Sequence, residues 1–156
     1  MWREMRRRNQ QLTQDECDAV LANGQRGVLA VLGDDGYPYT VPLDYTYADG
    51  HIYFHGAPVG HKLDAIDACD KCSFCVLSDP QENEGAWWLT WRSVVAFGHI
   101  RRVTDPDRMC SILWGLGEKY FPSMEGEDEH IERVLGRIAV LDLEIEHMTG
   151  KLVNEK

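Results

Sequence analysis

The chain has 156 residues, of which 44% are hydrophobic and 27% charged, a composition that fits a single globular domain over residues 1–156. Its formal net charge of −10 would repel a phosphate backbone, so we expect no nucleic-acid partner. The longest apolar runs, such as Gly27–Leu32 and Val94–Phe97, are far shorter than the roughly 20 residues of a membrane-spanning helix, so we expect no membrane partner either.

The N-terminal segment is basic. Residues 1–11 contain four arginines but not the apolar stretch that a secretory signal requires, so we expect a flexible basic arm on a cytoplasmic protein. Two interpretations of the arm stay open, a solvated tail and a segment that pairs with the acidic residues Glu125–Glu132 of another subunit.

The first predicted elements are a helix and a hairpin. Thr13 and Glu16 have the spacing of a capping box, which predicts a helix from Thr13 to Asn23 that ends at Gly24. The next segments are apolar or alternate between aromatic and polar positions, which predicts two strands joined by a turn. They are Arg26–Leu32, the turn Gly33–Gly36, and Tyr37–Tyr47.

The middle of the chain continues in short elements. The turn Ala48–Gly50 leads into a third strand, His51–His55. The loop Gly56–Gly60 then leads into an amphipathic helix, His61–Ala68, and the fourth strand follows at Cys72–Ser78.

The last third of the chain contains longer elements. Trp87–Val103 is too long for an ordinary strand, which predicts a long bent strand or a hairpin with its bend at Gly98. Asp105 followed by a first-turn proline predicts a helix that runs to about Tyr120. The remaining predicted elements are a short helix in the acidic stretch that ends at Leu135 and a last strand, Ile138–Glu146.

These elements predict a fold that is mainly β with peripheral helices. Hairpin-linked strands with few long crossovers indicate an antiparallel sheet, and closure into a barrel removes the exposed edges of such a sheet.

Three of the five cysteines, Cys69, Cys72 and Cys75, form a C-x-x-C-x-x-C run that is similar to part of an iron–sulfur ligand set. However, the segment has the pattern of a strand, where residues three apart point to opposite faces and cannot hold one cluster. We therefore expect no metal site, reduced thiols, and one of Cys72 and Cys75 on each face of the sheet.

A strand, a loop and a helix start follow one another at Ile52–Leu63, an arrangement typical of an anion site. The first N–H groups of a helix lack intrahelical partners, and the helix dipole favours negative charge there. Gly56 permits close approach, while Lys62 and His55 supply donors. A purely structural interpretation, in which His55 ends a strand and Lys62 is solvated, stays open.

The sequence also resembles the nitroimidazole-reductase branch of the pyridoxamine 5'-phosphate oxidase-like superfamily. The resemblance rests on F-H-G-A-x-x-G-x-K-L at Phe54–Leu63, on Val41–Tyr45 before it, and on Trp91–Ile100, which is similar to the S-V-x-x-x-G strand of the family. Met148–Lys151 is similar to its terminal T-G-K, so the resemblance spans Leu12–Lys151.

This resemblance implies an FMN-binding split β-barrel that forms a homodimer, with the cofactor at the subunit interface. It places His55, Lys62 and Leu63 at the phosphate loop, with Gly56 and Ala57 giving close backbone contact. It places the main chain of Pro42, Leu43, Asp44 and Tyr45 along the isoalloxazine, and Ser93 at the cofactor from the interface strand.

Two features depart from the resemblance or add to it. The loop of the family accepts an arginine before the lysine, whereas this chain has His61, which weakens anion binding when it is neutral. Trp87, Trp88 and Trp91 have the chemistry to stack on a flavin or a substrate, but we expect them to pack in the barrel interior or the dimer contact.

The resemblance therefore predicts an FMN-dependent oxidoreductase that acts on a small electron-poor, nitroaromatic-like molecule, with the flavin supplying the redox chemistry. The alternative is a flavin- or haem-binding module without turnover, because a fold does not fix a function. For a haem-binding relative, His99 or His147 is the candidate ligand. The sequence names no catalytic side chain, electron donor or physiological substrate.

Overall fold

A computed structural model describes residues 2–122 and 127–154 of the chain. Four α-helices and eight β-strands lie in this part. In chain order they are α1 (Gln14–Asn23), β1 (Arg26–Leu32), β2 (Pro38–Asp44), β3 (Thr46–Ala48), β4 (His51–Gly56), α2 (His61–Ala68), β5 (Lys71–Leu77), β6 (Gln81–Glu82), β7 (Leu89–Val103), α3 (Pro106–Tyr120), α4 (Glu127–Val134) and β8 (Ala139–Asn154).

The predicted helix starts are confirmed. Thr13 and Glu16 form both hydrogen bonds of the capping box at the start of α1. At the start of α3 the Asp105 carboxylate accepts the backbone N–H of Arg108. The predicted acidic helix is present as α4, although its residues before Glu127 lie outside the described part.

The strands form one antiparallel sheet in the order β2-β1-β5-β7-β8-β4-β3, with β6 paired to β7. The long strands β7 and β8 join its two halves, and their register shifts between Phe97 and Gly98. The curled sheet confirms the predicted split β-barrel, with the predicted bend at Gly98.

Two predicted strands have different bounds in the structure. The segment Tyr37–Tyr47 is divided at Tyr45 into β2 and β3, because the Tyr45 side chain is fully buried in the core and its main chain bonds to α3. The last strand runs to Asn154 instead of Glu146, because its second half pairs with residues 90–97 of β7. Alternation stops after Glu146, so the sequence pattern missed this half.

The buried side chains form two clusters. The larger one fills the barrel and includes Leu29, Phe54 and Phe74. The smaller one lies outside the barrel, where α3 and α4 cover β8 around Val140. The side chains that face away from the barrel on β4 therefore lie towards α3 and α4.

The outer face of β1, β5 and β7 is apolar. Val28 and Cys75 lie opposite each other on neighbouring strands, and Cys75 lies opposite Val95 on the next strand. Val28 is 41% exposed and Leu77 is 58% exposed. Monomeric proteins rarely expose a contiguous apolar surface of this kind, which is typical of an interface.

The N-terminal segment lies along β8. Gln11 forms a bridge with Lys151, and the Trp2 ring stacks on His147 with 4.7 Å between ring centroids. Within the described residues, no helix has the length and apolar character needed to cross a membrane.

Candidate functional site

The start of α2 presents an uncapped helix N-terminus. Gly60 occupies the N-cap position with a φ of 130°, a conformation that favours glycine, and supplies no capping side chain. Its carbonyl accepts the N–H groups of Leu63 and Asp64. The backbone N–H groups of His61 and Lys62 come first in the helix, where no intrahelical acceptor exists, and can therefore bind an anion.

Lys62 lies beside this helix start with its amine half-buried. Burial lowers the pKa of the Lys62 ammonium, and within the described part of the chain no carboxylate pairs with it. A Cβ atom on Gly56 would lie 3.0 Å from Lys62 Nζ, so glycine at this position keeps the approach to the amine open. A half-buried cation without a counter-ion favours a negatively charged ligand.

His55 extends the site along the outer side of β4. Desolvation lowers the pKa of the His55 imidazole, the Asp44 carboxylate acts against this shift, and the charge of Lys62 adds to it. Asp44 and His55 line the same pocket, and Lys62 Nζ lies beside Gly56, the residue that follows His55. Asp44 itself pairs with Arg26, whose Nε lies 2.7 Å from Asp44 Oδ1.

Two residues of the predicted site serve the core. Leu63 is 1% exposed and anchors α2 to the barrel. The Tyr45 hydroxyl donates to the Leu21 carbonyl, and its ring is fully buried. The Tyr45 main chain is also bonded, because its N–H donates to the Tyr120 hydroxyl at 2.9 Å and its carbonyl accepts the Lys119 amine at 3.0 Å.

The remaining predicted residues, except Leu43, lie at the surface. Ala57 is exposed at the beginning of the loop. Pro42 is exposed on the outer face of β2, while Leu43 packs against the barrel core. Ser93 follows the same alternation as Val95, so it faces outwards on β7. Three strand spacings separate β2 from β7, about 14 Å, so a single chain does not bring Ser93 next to Pro42.

His61 is directed away from the phosphate-loop side chains. Its ring stacks on Tyr39 with 4.1 Å between centroids, and His61 Nε2 lies 3.4 Å from Asp34 Oδ2. His61, which stands where the family accepts an arginine, therefore packs its ring against the β1–β2 hairpin.

A pocket of about 410 Å³ lies next to His55 and was not predicted from the sequence. The ends of β2 and β4 form one side of it, and α3 and α4 form the other. His130 of α4 faces it together with His55. The amphipathic pattern of the acidic helix was the available signal, but it did not indicate which strands this helix covers.

The cysteine run does not converge. Cys72 faces the core, and burial raises the pKa of its thiol to about 12. Cys75 faces outwards, as predicted, so the two thiols lie on opposite sides of β5. Thiols on opposite faces of one strand cannot converge on a single metal ion or cluster.

Both candidate haem ligands contact neighbouring side chains. His99 Nδ1 lies 2.9 Å from Asp70 Oδ2, and its Nε2 lies 3.5 Å from Glu146 Oε2. The His147 ring stacks on the Trp2 ring.

Of the three tryptophans predicted to pack in the barrel interior or the dimer contact, Trp87 is 89% exposed, so it does not pack in the barrel interior.

Solved structures share the fold. A Bacteroides thetaiotaomicron protein that is assigned to 5-nitroimidazole antibiotic resistance is 14% identical, with a TM-score of 0.79 over 91% of this chain and 86% of that chain. A FAD-binding protein from Mesorhizobium loti is 26% identical, with a TM-score of 0.67 over 92% of this chain and 97% of that chain. A flavocytochrome from Azotobacter vinelandii is 18% identical, with a TM-score of 0.79 over 97% and 72% of the two chains.

None of the curated proteins is a significant match to this sequence. The family model described as pyridoxamine 5'-phosphate oxidase matches residues 13–152, nearly the whole chain and all the elements of the barrel. The chain therefore belongs to the pyridoxamine 5'-phosphate oxidase family.

Proposed function

We propose that this protein is an FMN-dependent oxidoreductase that reduces a small, electron-poor, nitroaromatic-like molecule. The observation that carries the proposal is the half-buried Lys62 amine, which has no carboxylate partner within the described residues and lies at the uncapped start of α2. The amine and the helix N–H groups lack an anionic acceptor. A flavin phosphate carries both the negative charge and the acceptor oxygens that would pair with them.

The residues present fit the phosphate end of FMN. Lys62 and the backbone N–H groups at the start of α2 would hold the phosphate, and His55 would donate a further hydrogen bond. Gly56 leaves room for the phosphate beside the amine. The bound flavin would supply hydride and electron transfer, while the chain binds and orients it.

The proposal includes a homodimer with the cofactor between the subunits. The apolar outer face of β1, β5 and β7 supports this arrangement, because an interface would cover it. Ser93 lies on that same face, about 14 Å across the sheet from β2, so it would reach a flavin that lies along β2 only from the second subunit.

Similarity to solved structures supports the choice of flavin and substrate. The relatives from Mesorhizobium loti and Azotobacter vinelandii are a FAD-binding protein and a flavocytochrome. The assignment of the Bacteroides thetaiotaomicron protein to 5-nitroimidazole antibiotic resistance supports a nitroaromatic-like substrate. The choice of FMN rather than FAD rests on the resemblance of Phe54–Leu63 to the phosphate loop of an FMN-binding family.

The test compares FMN with riboflavin, which lacks the phosphate, in the wild type and in Lys62→Met. The variant keeps an unbranched side chain, one atom shorter than that of lysine, and removes its charge. Loss of a charge-assisted hydrogen bond costs about 1.5–3 kcal/mol, so FMN affinity should fall about 10- to 100-fold while riboflavin affinity stays unchanged. Binding is measured by flavin fluorescence and absorbance.

Lys71→Met is the matched control, because Lys71 is exposed at the start of β5. This variant should bind FMN like the wild type. Equal losses of FMN and riboflavin in Lys62→Met, or no flavin binding by the wild type, would overturn the phosphate site. Flavin that binds but is reduced by neither NADH nor NADPH and passes no electrons to nitroaromatic compounds would favour the module without turnover.

A further inference from the structure

The pocket beside His55 has the size and walls of a small-molecule site. Its volume of about 410 Å³ falls in the range of roughly 300–1,000 Å³ typical of ligand pockets. Leu113 and Leu116 of α3 form one wall, and Ile131 and Val134 of α4 form another. These side chains leave an apolar space between the helices and the ends of β2 and β4.

Two imidazole rings face this space with their hydrogen-bonding capacity unused. Within residues 2–122 and 127–154, no hydrogen bond or ion pair engages His55 or His130. A neutral imidazole offers one N–H donor and one nitrogen acceptor. The other polar groups are already bonded, since Asp44 pairs with Arg26 at 2.7 Å and the Tyr120 hydroxyl donates to the Tyr45 carbonyl at 2.9 Å.

The charge of the lining excludes anions. None of the described residues that line the pocket is a lysine or an arginine, and Asp44 brings a negative charge to its edge. An anion enclosed there would lose its hydration without gaining a cationic partner. The flavin phosphate therefore belongs at Lys62, which does not line this pocket.

We infer that this pocket binds an uncharged, largely apolar ring compound that carries a polar atom, such as a carbonyl or nitro oxygen, within reach of the His130 imidazole, while the N–H of His55 serves the flavin phosphate. The binding of such a compound is argued from the pocket itself, whereas its identification as the substrate rests on the proposed function. His55 belongs both to the pocket and to the phosphate loop, so the compound would lie next to the cofactor.

The first test uses two fluorescent probes with the FMN-loaded protein and with the protein as purified. Nile red is uncharged and has a carbonyl oxygen, while 1-anilinonaphthalene-8-sulfonate is anionic. We expect Nile red to bind with a blue-shifted emission and the sulfonate to bind at least about tenfold more weakly. Equal affinities for the two probes would overturn the inferred ligand class.

Variants that fill the pocket separate this site from the exposed outer face. Val134→Trp should weaken Nile red binding at least about tenfold and leave FMN affinity unchanged. Ile138→Trp fills the same pocket from another wall and replaces the first variant if that one unfolds. Ala22→Trp, on the exposed side of α1, is the control and should bind both molecules like the wild type.

The outcomes for the two proposals are distinguishable. Nile red binding that resists both filling variants would overturn the pocket but would not affect the FMN site. Loss of FMN binding in Lys62→Met with unchanged Nile red binding would support two separate sites. Displacement of Nile red by haemin, with a Soret band that Val134→Trp abolishes, would overturn the uncharged ligand class in favour of haem.

Discussion

At the scale of single residues, we expect His55 to make flavin binding depend on pH. Desolvation lowers the pKa of the His55 imidazole from 6.5, so the ring is neutral at pH 7. As the pH falls, His55 is therefore protonated in the unfolded chain before it is protonated in the folded protein. The free protein therefore loses the corresponding stability as pH falls from 6.5 through the folded pKa. A bound phosphate would favour the imidazolium and reverse this preference.

We therefore expect wild-type FMN affinity to gain, relative to His55→Gln, as pH falls from about 8 to 5. Fluorescence titrations across this range measure the ratio of the two affinities, which cancels the titration of the phosphate itself. Riboflavin is the control and should give a ratio independent of pH. A constant ratio for FMN would place His55 away from the phosphate.

At the scale of elements, the bend of β7 depends on a residue without a side chain. A Cβ atom on Gly98 would lie 1.9 Å from the Glu144 carbonyl oxygen of β8. Gly98→Ala should therefore force the two longest strands apart and lower the free energy of unfolding by at least about 2 kcal/mol. Urea denaturation followed by circular dichroism measures this change.

Gly136→Ala is the matched control for this substitution, because a Cβ atom there has no neighbour within 4 Å. Its free energy of unfolding should lie within about 0.5 kcal/mol of the wild type. If Gly98→Ala were equally stable, the register shift between β7 and β8 would not require glycine.

At the scale of the whole molecule, we expect the exposed apolar face of the sheet to form the interface of the proposed homodimer. Val28 is 41% exposed at the centre of this face, so Val28→Asp should leave the folded chain intact but place unpaired charges in the proposed interface. We expect the wild type at twice the chain mass of 17.8 kDa and the variant at the chain mass, measured by sedimentation.

FMN affinity should fall together with dimerisation, because the proposed site needs both subunits. Tyr37→Asp is the control, since Tyr37 is 74% exposed at the β1–β2 turn and away from this face. A monomeric Val28→Asp that retains full FMN affinity would show that one chain completes the site.

Elements whose signals are local can be predicted from the sequence alone. The capping box at Thr13, the hairpin turn at Gly33–Gly36, the bend at Gly98 and the strand, loop and helix around Lys62 all follow from residues close together in the chain. Periodicity, caps and turn residues act over a few positions, so a pattern is sufficient to find them.

Features that join distant parts of the chain depend on tertiary packing, which a local sequence pattern does not contain. The break at Tyr45 depends on Tyr120, 75 positions away, and the pocket joins His55 of β4 to His130 of α4. The second half of β8 is a strand because β7 pairs with it, although its own pattern does not alternate. The physical reason is that packing and hydrogen bonding between distant segments override local preference.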